Sequence, residues 1–150
     1  MKKNWYWFFV AAIVFGADRL SKMWMVATKP SMHIVFPGLY WDLSFNRGVT
    51  WSLFHSQNSI VFIMLGVVIA LILLMLMRYT YQRWHQGAPI IGELLVLAGG
   101  LSNLIDRIYY GAVVDFILVG GQGWYWPAFN IADTAIVLGA VCMFWQGLKE

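Results

Sequence analysis

The stretch SIVFIMLGVVIALILLMLM, residues 59–77, decides the fold class of this chain. It contains 19 residues without a charged side chain and is followed directly by Arg78. At about 1.5 Å of rise per residue, a helix of this length is about 28 Å long, close to the thickness of the hydrocarbon core of a bilayer. The stretch therefore predicts a membrane-spanning helix.

Three further apolar segments have the length of a membrane span, at residues of about 5–25, 89–105 and 131–148. Hydrophobic residues make up 61% of the 150 residues and charged residues 11%, whereas about a quarter of residues are charged in soluble domains. Four spans and their connections use the whole chain. We therefore expect one domain over residues 1–150, an all-α membrane protein with four transmembrane helices and small extracytoplasmic β and loop elements.

Two connecting segments have the pattern of short strands. Apolar and polar residues alternate from Leu39 to Phe45, and β-prone residues run from Val113 to Val119 before a Gly-Gly-Gln-Gly turn at 120–123. Such patterns are typical of strands that end in turns.

Four crossings place both chain termini on one side of the membrane. On the opposite side, Arg19, Lys22 and Arg107 stand at helix ends beside aspartates, and we interpret them as ion-pair partners. Lys29 and Arg47 are then the ordinary loop cations of that side, against five cations on the side of the termini. Because loop cations are enriched on the cytoplasmic side, both termini are predicted to be cytoplasmic. The net charge of +3 contains no basic run, so membrane phospholipid, and not nucleic acid, is the expected partner.

Two aspartates, Asp115 and Asp133, lie in apolar surroundings on the predicted extracytoplasmic side. A carboxylate there is costly unless it is paired or hydrated, which makes it a candidate functional group. Asn130 is a good N-cap for the fourth helix and places Asp133 at its third position, where the helix dipole favours the ionised form. The apolar neighbours of Asp115 favour its neutral form. Two such carboxylates that share one proton suit peptide hydrolysis without a metal ion or other cofactor.

A purely structural interpretation of the same residues stays open at this point. Asp133 would then only cap its helix, and Asp115 would pair with a nearby arginine. A zinc site is disfavoured because the sequence lacks a His-Glu-x-x-His motif, and the lone Cys142 excludes an internal disulfide.

Five sequence blocks resemble the lipoprotein signal peptidases (signal peptidase II) and occur in that family's order. They are DRLSK at 18–22, FNRGVTWS at 45–52, GGLSNLIDR at 99–107, VVDFI at 113–117 and FNIAD at 129–133. Together they cover most of the chain.

The resemblance implies an aspartic endopeptidase of the bacterial inner (cytoplasmic) membrane. Such an enzyme removes the signal peptide of a prolipoprotein just before its diacylglyceryl-modified cysteine. By the same resemblance, Asp115 and Asp133 are the catalytic pair. The positions that match residues lining or supporting the family's site are Asp18, Lys22, Asn46, Gly48, Asn103, Arg107 and Asn130.

Two blocks depart from the family pattern. Leu101 and Ser102 replace small residues of the block that usually reads Gly-Gly-Ala-x-Gly-Asn. Val49, Thr50 and Trp51 replace the Ala-Ala-Phe of the loop block. Both changes add bulk near the expected site, and we expect them to affect the shape of the pocket more than the reaction.

Several of these residues also have structural interpretations. Asp18 and Lys22 are four residues apart on a helix, so an ion pair that stabilises the bundle competes with contact to the substrate. Arg107 either orients the segment with the aspartate or holds a substrate carbonyl or lipid headgroup. Glu93, about one turn inside the third span, is expected to snorkel to the cytoplasmic interface. The pair Gly99 and Gly100 is expected to let helices approach closely.

The alternative function is a small proton-coupled transporter or channel that uses the same carboxylates as a relay. Loss of function in Asp→Asn variants fits both activities, whereas cleavage of a lipid-modified precursor fits only the peptidase. The sequence leaves the oligomeric state open and is compatible with a monomer.

Overall fold

The computed structural model describes residues 5–48 and 59–148 as four helices and four strands. In chain order they are α1 (Tyr6–Thr28), β1 (His33–Phe36), β2 (Leu39–Asn46), α2 (Ser59–His85), α3 (Ile91–Tyr110), β3 (Val113–Gly121), β4 (Trp124–Tyr125) and α4 (Ile131–Gly147). The strands connect the helices at one end of the molecule. The start of α1 and the end of α4 lie at the other end.

Each predicted apolar segment corresponds to one helix, and three of the helices extend beyond their apolar segment. The largest extension is in α2, which continues past Arg78 to His85. It ends just before Gly87, whose φ of 77° does not continue a right-handed helix. Among the described helices, α2 alone has the length and the low charge content of a membrane span, over Ile60–His85. Three charged residues in α1 and three in α3 lie at positions that the fold buries or pairs, and α4 has only 17 residues.

The four predicted helices are present, and the β structure is larger than the small β elements that the sequence predicts. The four strands form one antiparallel sheet in the order β1-β2-β3-β4. Both predicted strand segments are confirmed as β2 and β3. The predicted turn after β3 is also confirmed, with positive φ angles of 52° at Gln122 and 87° at Gly123, as in two-residue hairpin turns.

Glycines allow α3 and α4 to pack with their backbones nearly in contact. A Cβ added to Gly99 would lie 2.4 Å from the carbonyl oxygen of Ala132, and one added to Gly139 would lie 2.6 Å from that of Gly92. The predicted close approach at Gly99 is therefore confirmed. Its consequence is a fixed position for the first turn of α4 relative to α3.

The sheet is joined to the helix ends by short connections. Gly111, with φ of 67°, ends α3 in the left-handed conformation and lets β3 begin two residues later. Ile117, in the middle of β3, forms an antiparallel bridge with Phe129 just before α4. Since Asn130 follows Phe129 directly, this bridge brings the start of α4 beside the middle of β3.

Candidate active site

The two aspartates line one cavity at the sheet end of the helices. The cavity has a volume of about 160 Å³ and opens between β2, β3 and the helices α2, α3 and α4. Asn46, Gly48, Asn103 and Arg107 also line it. Three other predicted site residues, Asp18, Lys22 and Asn130, are buried behind its wall. The structure therefore brings all nine predicted residues into one region.

Asp115 is contributed by β3 and is almost completely buried, with 2% of its surface exposed. Its Oδ1 accepts a hydrogen bond from Asn130 Nδ2 at 2.7 Å, and its Oδ2 accepts one from Asn46 Nδ2 at 3.1 Å. Burial, followed by the negative charge of Asp133, raises the pKa of Asp115 to about 7 despite these two donors. The desolvation expected from its apolar sequence neighbours is thus present in the fold.

Asp133 is the third residue of α4 and forms a capping box with Asn130. The backbone N–H of Asp133 donates to Asn130 Oδ1 at 2.8 Å, and the backbone N–H of Asn130 donates to Asp133 Oδ2 at 3.3 Å. The predicted N-cap and helical position are both confirmed. The other carboxylate oxygen, Oδ1, accepts a hydrogen bond from Asn103 Nδ2 at 2.8 Å.

Three asparagines present amide NH₂ groups to the two aspartates, and each is oriented by a group that can only donate. The Oδ1 of Asn46 accepts from the backbone N–H of Gly48 at 2.9 Å. The Oδ1 of Asn103 accepts from the ammonium of Lys22 at 2.8 Å, and that of Asn130 accepts from the backbone N–H of Asp133. Because an N–H group and an ammonium offer no acceptor, each amide must turn its NH₂ toward a carboxylate.

A closed network of charges lies behind the cavity. The ammonium of Lys22 contacts Asp18 Oδ2 at 2.8 Å and Asp106 Oδ2 at 2.7 Å, and it is fully buried. Arg19 forms an ion pair with Oδ1 of Asp106. The predicted pairing of Asp18 with Lys22 is confirmed. The network contains two acids and two bases, so its formal charge is zero.

Asp106, Arg19 and Ser102 belong to this network although the sequence analysis did not select them as site residues. All three lie inside blocks that resemble the family. Each is a polar residue in an otherwise apolar helix, and this feature could have marked them as site residues. Their partners are more than 80 residues away in the chain, a separation that local patterns do not reveal.

Among the residues that the structure describes, Arg107 forms no ion pair with an aspartate, which corrects part of the predicted set of ion pairs. Its Nη2 donates to the carbonyl oxygen of Gly48 at 3.1 Å, and its Nη1 donates to that of Asn103 at 3.3 Å. The bond to Gly48 connects α3 to the segment that follows β2, beside the cavity. The bulky replacements Val49, Thr50 and Trp51 lie outside the described residues.

Glu93 also differs from its prediction. It is 1% exposed, and its Oε1 contacts Arg83 Nε of α2 at 2.8 Å. A buried ion pair between α2 and α3 therefore replaces the expected snorkelling side chain.

Within residues 5–48 and 59–148, no group of three or more His, Cys, Asp or Glu side chains is arranged to hold a metal ion. That the reaction needs no metal or cofactor stays a prediction.

Comparisons with known proteins identify the family. The model of the signal peptidase (SPase) II family matches residues 10–149. A lipoprotein signal peptidase of Polynucleobacter necessarius is 38% identical over 94% of this chain and 88% of its own length. One from Pseudomonas aeruginosa is also 38% identical, over 91% of this chain and 84% of its own length.

Two solved structures, both described as bacterial membrane enzymes, have the same fold. The first has a TM-score of 0.72 and 26% identity and covers 96% of this chain and 88% of its own. The second has a TM-score of 0.70 and 27% identity, with coverages of 97% and 94%. With these matches over nearly its full length, the chain belongs to the signal peptidase II family of membrane enzymes and is an aspartic peptidase that removes signal peptides from prolipoproteins.

Proposed function

We propose that Asp115 and Asp133 are the catalytic pair of this peptidase and share one proton. The observation that carries the proposal is their position on one cavity, where burial and the charge of Asp133 raise the pKa of Asp115 to about 7. A carboxyl group with such a pKa is protonated in a large fraction of molecules at neutral pH. Asp133 accepts hydrogen bonds from Asn103 and from the backbone of Asn130, which favour an ionised partner.

In the proposed reaction, the Asp133 carboxylate takes a proton from a water molecule as the water oxygen attacks the scissile carbonyl carbon. Asp115 donates its proton to the carbonyl oxygen, which gives a neutral geminal diol. Asp133 then passes its proton to the leaving nitrogen and Asp115 accepts one from a diol hydroxyl, so that the C–N bond breaks and the carbonyl forms again. The dyad finishes each cycle with the single proton it held at the start.

The supporting residues act on this dyad through hydrogen bonds. Asn46 and Asn130 hold the two oxygens of Asp115, and Asn103 holds one oxygen of Asp133. Because the three amides have fixed orientations, the unused lone pairs of both carboxylates keep fixed directions toward the cavity. Arg107 and Gly48 also line the cavity, and their mutual hydrogen bond holds this part of the wall in place.

The proposed bond is the one that precedes the diacylglyceryl-modified cysteine of a prolipoprotein. The acyl chains contribute to binding by staying in the bilayer or against apolar helix faces, since each buried CH₂ is worth about 0.8 kcal/mol. The exposed residues of α2 from Ile60 to Met77 are all apolar, which supports lipid beside the cavity. Recognition is then led by the lipid and tolerant of residues further along the mature protein.

The proposed arrangement is a single domain over residues 1–150 with four membrane-spanning helices. Both termini face the cytoplasm of a bacterial inner membrane, and the cavity opens near the extracytoplasmic face. Support comes from the chain order, which places the sheet and both aspartates at one end of the helices and the chain termini at the other. One chain contains every proposed site residue, which is compatible with a monomer.

The test is cleavage of a synthetic prolipoprotein peptide by purified enzyme in lipid nanodiscs. We expect the diacylglyceryl peptide to be cut before its cysteine with a chelator present, and the unlipidated peptide to be cut poorly. Asp115→Asn and Asp133→Asn should each abolish cleavage. The matched control is Asp42→Asn, since Asp42 accepts a hydrogen bond from the backbone of Met32 far from the cavity. Cleavage that survives in either dyad variant would disprove the assignment.

The transporter or channel alternative is tested with the same variants in liposomes. A proton flux that depends on both aspartates, in the absence of any cleavage, would favour the alternative. Topology is tested with cysteine variants at the chain termini and in the β1–β2 segment, labelled from one side of the membrane at a time.

A further inference from the structure

Ser102 lies where α1, α3 and α4 meet, and the proposed reaction does not use it. Its side chain is fully buried, and its hydroxyl donates to Oδ2 of Asp18 at 2.6 Å. The hydroxyl is part of the polar cluster behind the cavity, which also contains Asp18 and Lys22.

The Asp18 carboxylate connects Ser102 to α4. Its second oxygen, Oδ1, accepts a hydrogen bond from the backbone N–H of Ala132 at 2.8 Å. Ala132 is the second residue of α4, so this N–H is one of those that a helix start leaves without a partner inside the helix. The next residue is Asp133. A carboxylate of α1 thus caps the turn of α4 that carries the proposed catalytic residue.

A carboxylate is planar and rigid, so the direction of one oxygen fixes the direction of the other. The Oδ2 of Asp18 has two donors, Ser102 and Lys22. Lys22 divides its three protons among Asp18, Asp106 and Asn103, so its position is a compromise among three acceptors. The Ser102 hydroxyl has a single proton, which it donates to Asp18. This hydrogen bond holds the carboxylate close to α3.

We propose that Ser102 is a positioning residue, whose hydroxyl sets the Asp18 carboxylate and through it the first turn of α4. The inference rests on the proposed catalytic role of Asp133. Ser102 touches neither aspartate of the dyad. It acts through Asp18 and the Ala132 backbone, and its removal affects the rate of the chemical step more than the binding of substrate.

The test compares two substitutions of Ser102. The alanine variant should be the more stable of the two, and the glycine variant should be the more active. Ser102→Ala removes the donor and leaves a methyl group, with good helix propensity. Ser102→Gly costs about 1 kcal/mol in helix propensity but leaves space for a water molecule that donates to the same oxygen. Because the two variants differ in whether the lost donor can be replaced, kcat separates a positioning role from a role in folding.

We expect Ser102→Ala to lower kcat about tenfold with KM changed less than about twofold. The kcat of Ser102→Gly should be about threefold higher than that of Ser102→Ala. Its unfolding temperature should nevertheless be lower than that of Ser102→Ala. The matched control is Thr80→Val, which removes a buried hydroxyl that donates to the Leu76 carbonyl oxygen within α2 at 2.7 Å; its kcat should stay within about twofold of the unmodified enzyme.

Two results would overturn the proposal. One is a Ser102→Ala enzyme with at least half of the original kcat, and the other is a kcat order that follows thermal stability, with the glycine variant slower than the alanine variant. Asp133→Asn is measured in the same assay. If it still cuts, the catalytic role of Asp133 fails and this inference fails with it. If it is inactive while Ser102→Ala is unimpaired, only the inference about Ser102 is refuted.

Discussion

Removing the amide of Asn46 should move the pH dependence of cleavage to higher pH. Asn46 donates to Asp115 Oδ2 at 3.1 Å, and this bond favours the ionised carboxylate. A hydrogen bond to a charged group is worth roughly 1.5–3 kcal/mol, and one pKa unit corresponds to about 1.4 kcal/mol. Asn46→Ala should therefore raise the pKa of Asp115 by one to two units. Water that enters the space left by the amide opposes this change, so we expect about one unit.

The proposed reaction requires protonated Asp115, so kcat/KM should fall as pH rises through the pKa of Asp115, which is about 7. In Asn46→Ala the fall should occur about one pH unit higher. The measurement is kcat/KM with a fluorogenic lipopeptide from about pH 5 to 10, normalised to each enzyme's own plateau. Normalisation removes any loss of rate that is independent of pH.

The matched control for this prediction is Ser44→Ala. Ser44 neighbours Asn46 on β2, but its hydroxyl contacts the main-chain oxygen of Asp115, at 3.5 Å, and not the carboxylate. Its pH profile should coincide with that of the unmodified enzyme. An alkaline limb that stays in place in Asn46→Ala, or that moves to lower pH, would refute the reasoning. A limb that moves equally in Ser44→Ala would assign the effect to the backbone of β3.

Three further predictions concern stability and packing. The pKa of Asp115 in the folded protein is about 7, above the ordinary aspartate value of 3.8. Ionisation of Asp115 therefore destabilises the fold as pH rises from about 4 to 7, by at most on the order of 4 kcal/mol. Asp115→Asn should remove this loss, which would appear as a smaller decrease in unfolding temperature between pH 4 and 8. Gly99→Ala should lower kcat and thermal stability together, because its Cβ would meet the first turn of α4 at 2.4 Å, whereas Gly16→Ala, with nothing within 4 Å, should be neutral or stabilising. Glu93→Gln should destabilise the enzyme by about 3–5 kcal/mol in chemical denaturation, and the double change Arg83→Met with Glu93→Leu should recover most of this loss; equal stability of Glu93→Gln and the unmodified enzyme would show that the pair contributes nothing.

The local parts of the site could be predicted from the sequence because they depend on neighbouring residues. The N-cap at Asn130 and the position of Asp133 follow from an asparagine that precedes an apolar helix by one residue. The strand β2 follows from alternation in Leu39–Phe45, and the pairing of Asp18 with Lys22 from their spacing of one helical turn. Each of these features is contained in a window of fewer than ten residues.

The remaining parts depend on contacts between distant segments. The hydrogen bond from Lys22 to Asn103 joins residues 81 positions apart, and that from Asn46 to Asp115 joins residues 69 positions apart. The prediction that Glu93 snorkels was wrong because its position in the third span does not reveal its partner. That partner, Arg83, lies on another helix, beyond the turn that joins α2 to α3. The sheet was underestimated for the same reason, since β2 and β3 are separated by two whole helices, and strand pairing over such a distance leaves no periodic signal in either segment.

Besides burial, which is the main cause of the raised pKa of Asp115, the balance of buried charge supports the proposed proton shared by Asp115 and Asp133. In the network behind the cavity, Asp18 and Asp106 are neutralised by Arg19 and Lys22, so this network has no formal net charge. The charge of Lys22 lowers the pKa of Asp115, but burial and the charge of Asp133 outweigh it. The cavity itself contains the two aspartates and one cation, Arg107, among its described lining residues. With both aspartates ionised, this group would have a net charge of −1 at a site where Asp115 is buried and Asp133 is half-buried. One proton on the pair brings the sum to zero, which is the least costly state for buried groups. Substitution of Arg107 by a neutral residue should therefore strengthen the retention of that proton, and it should move the alkaline limb of the pH profile in the same direction as Asn46→Ala.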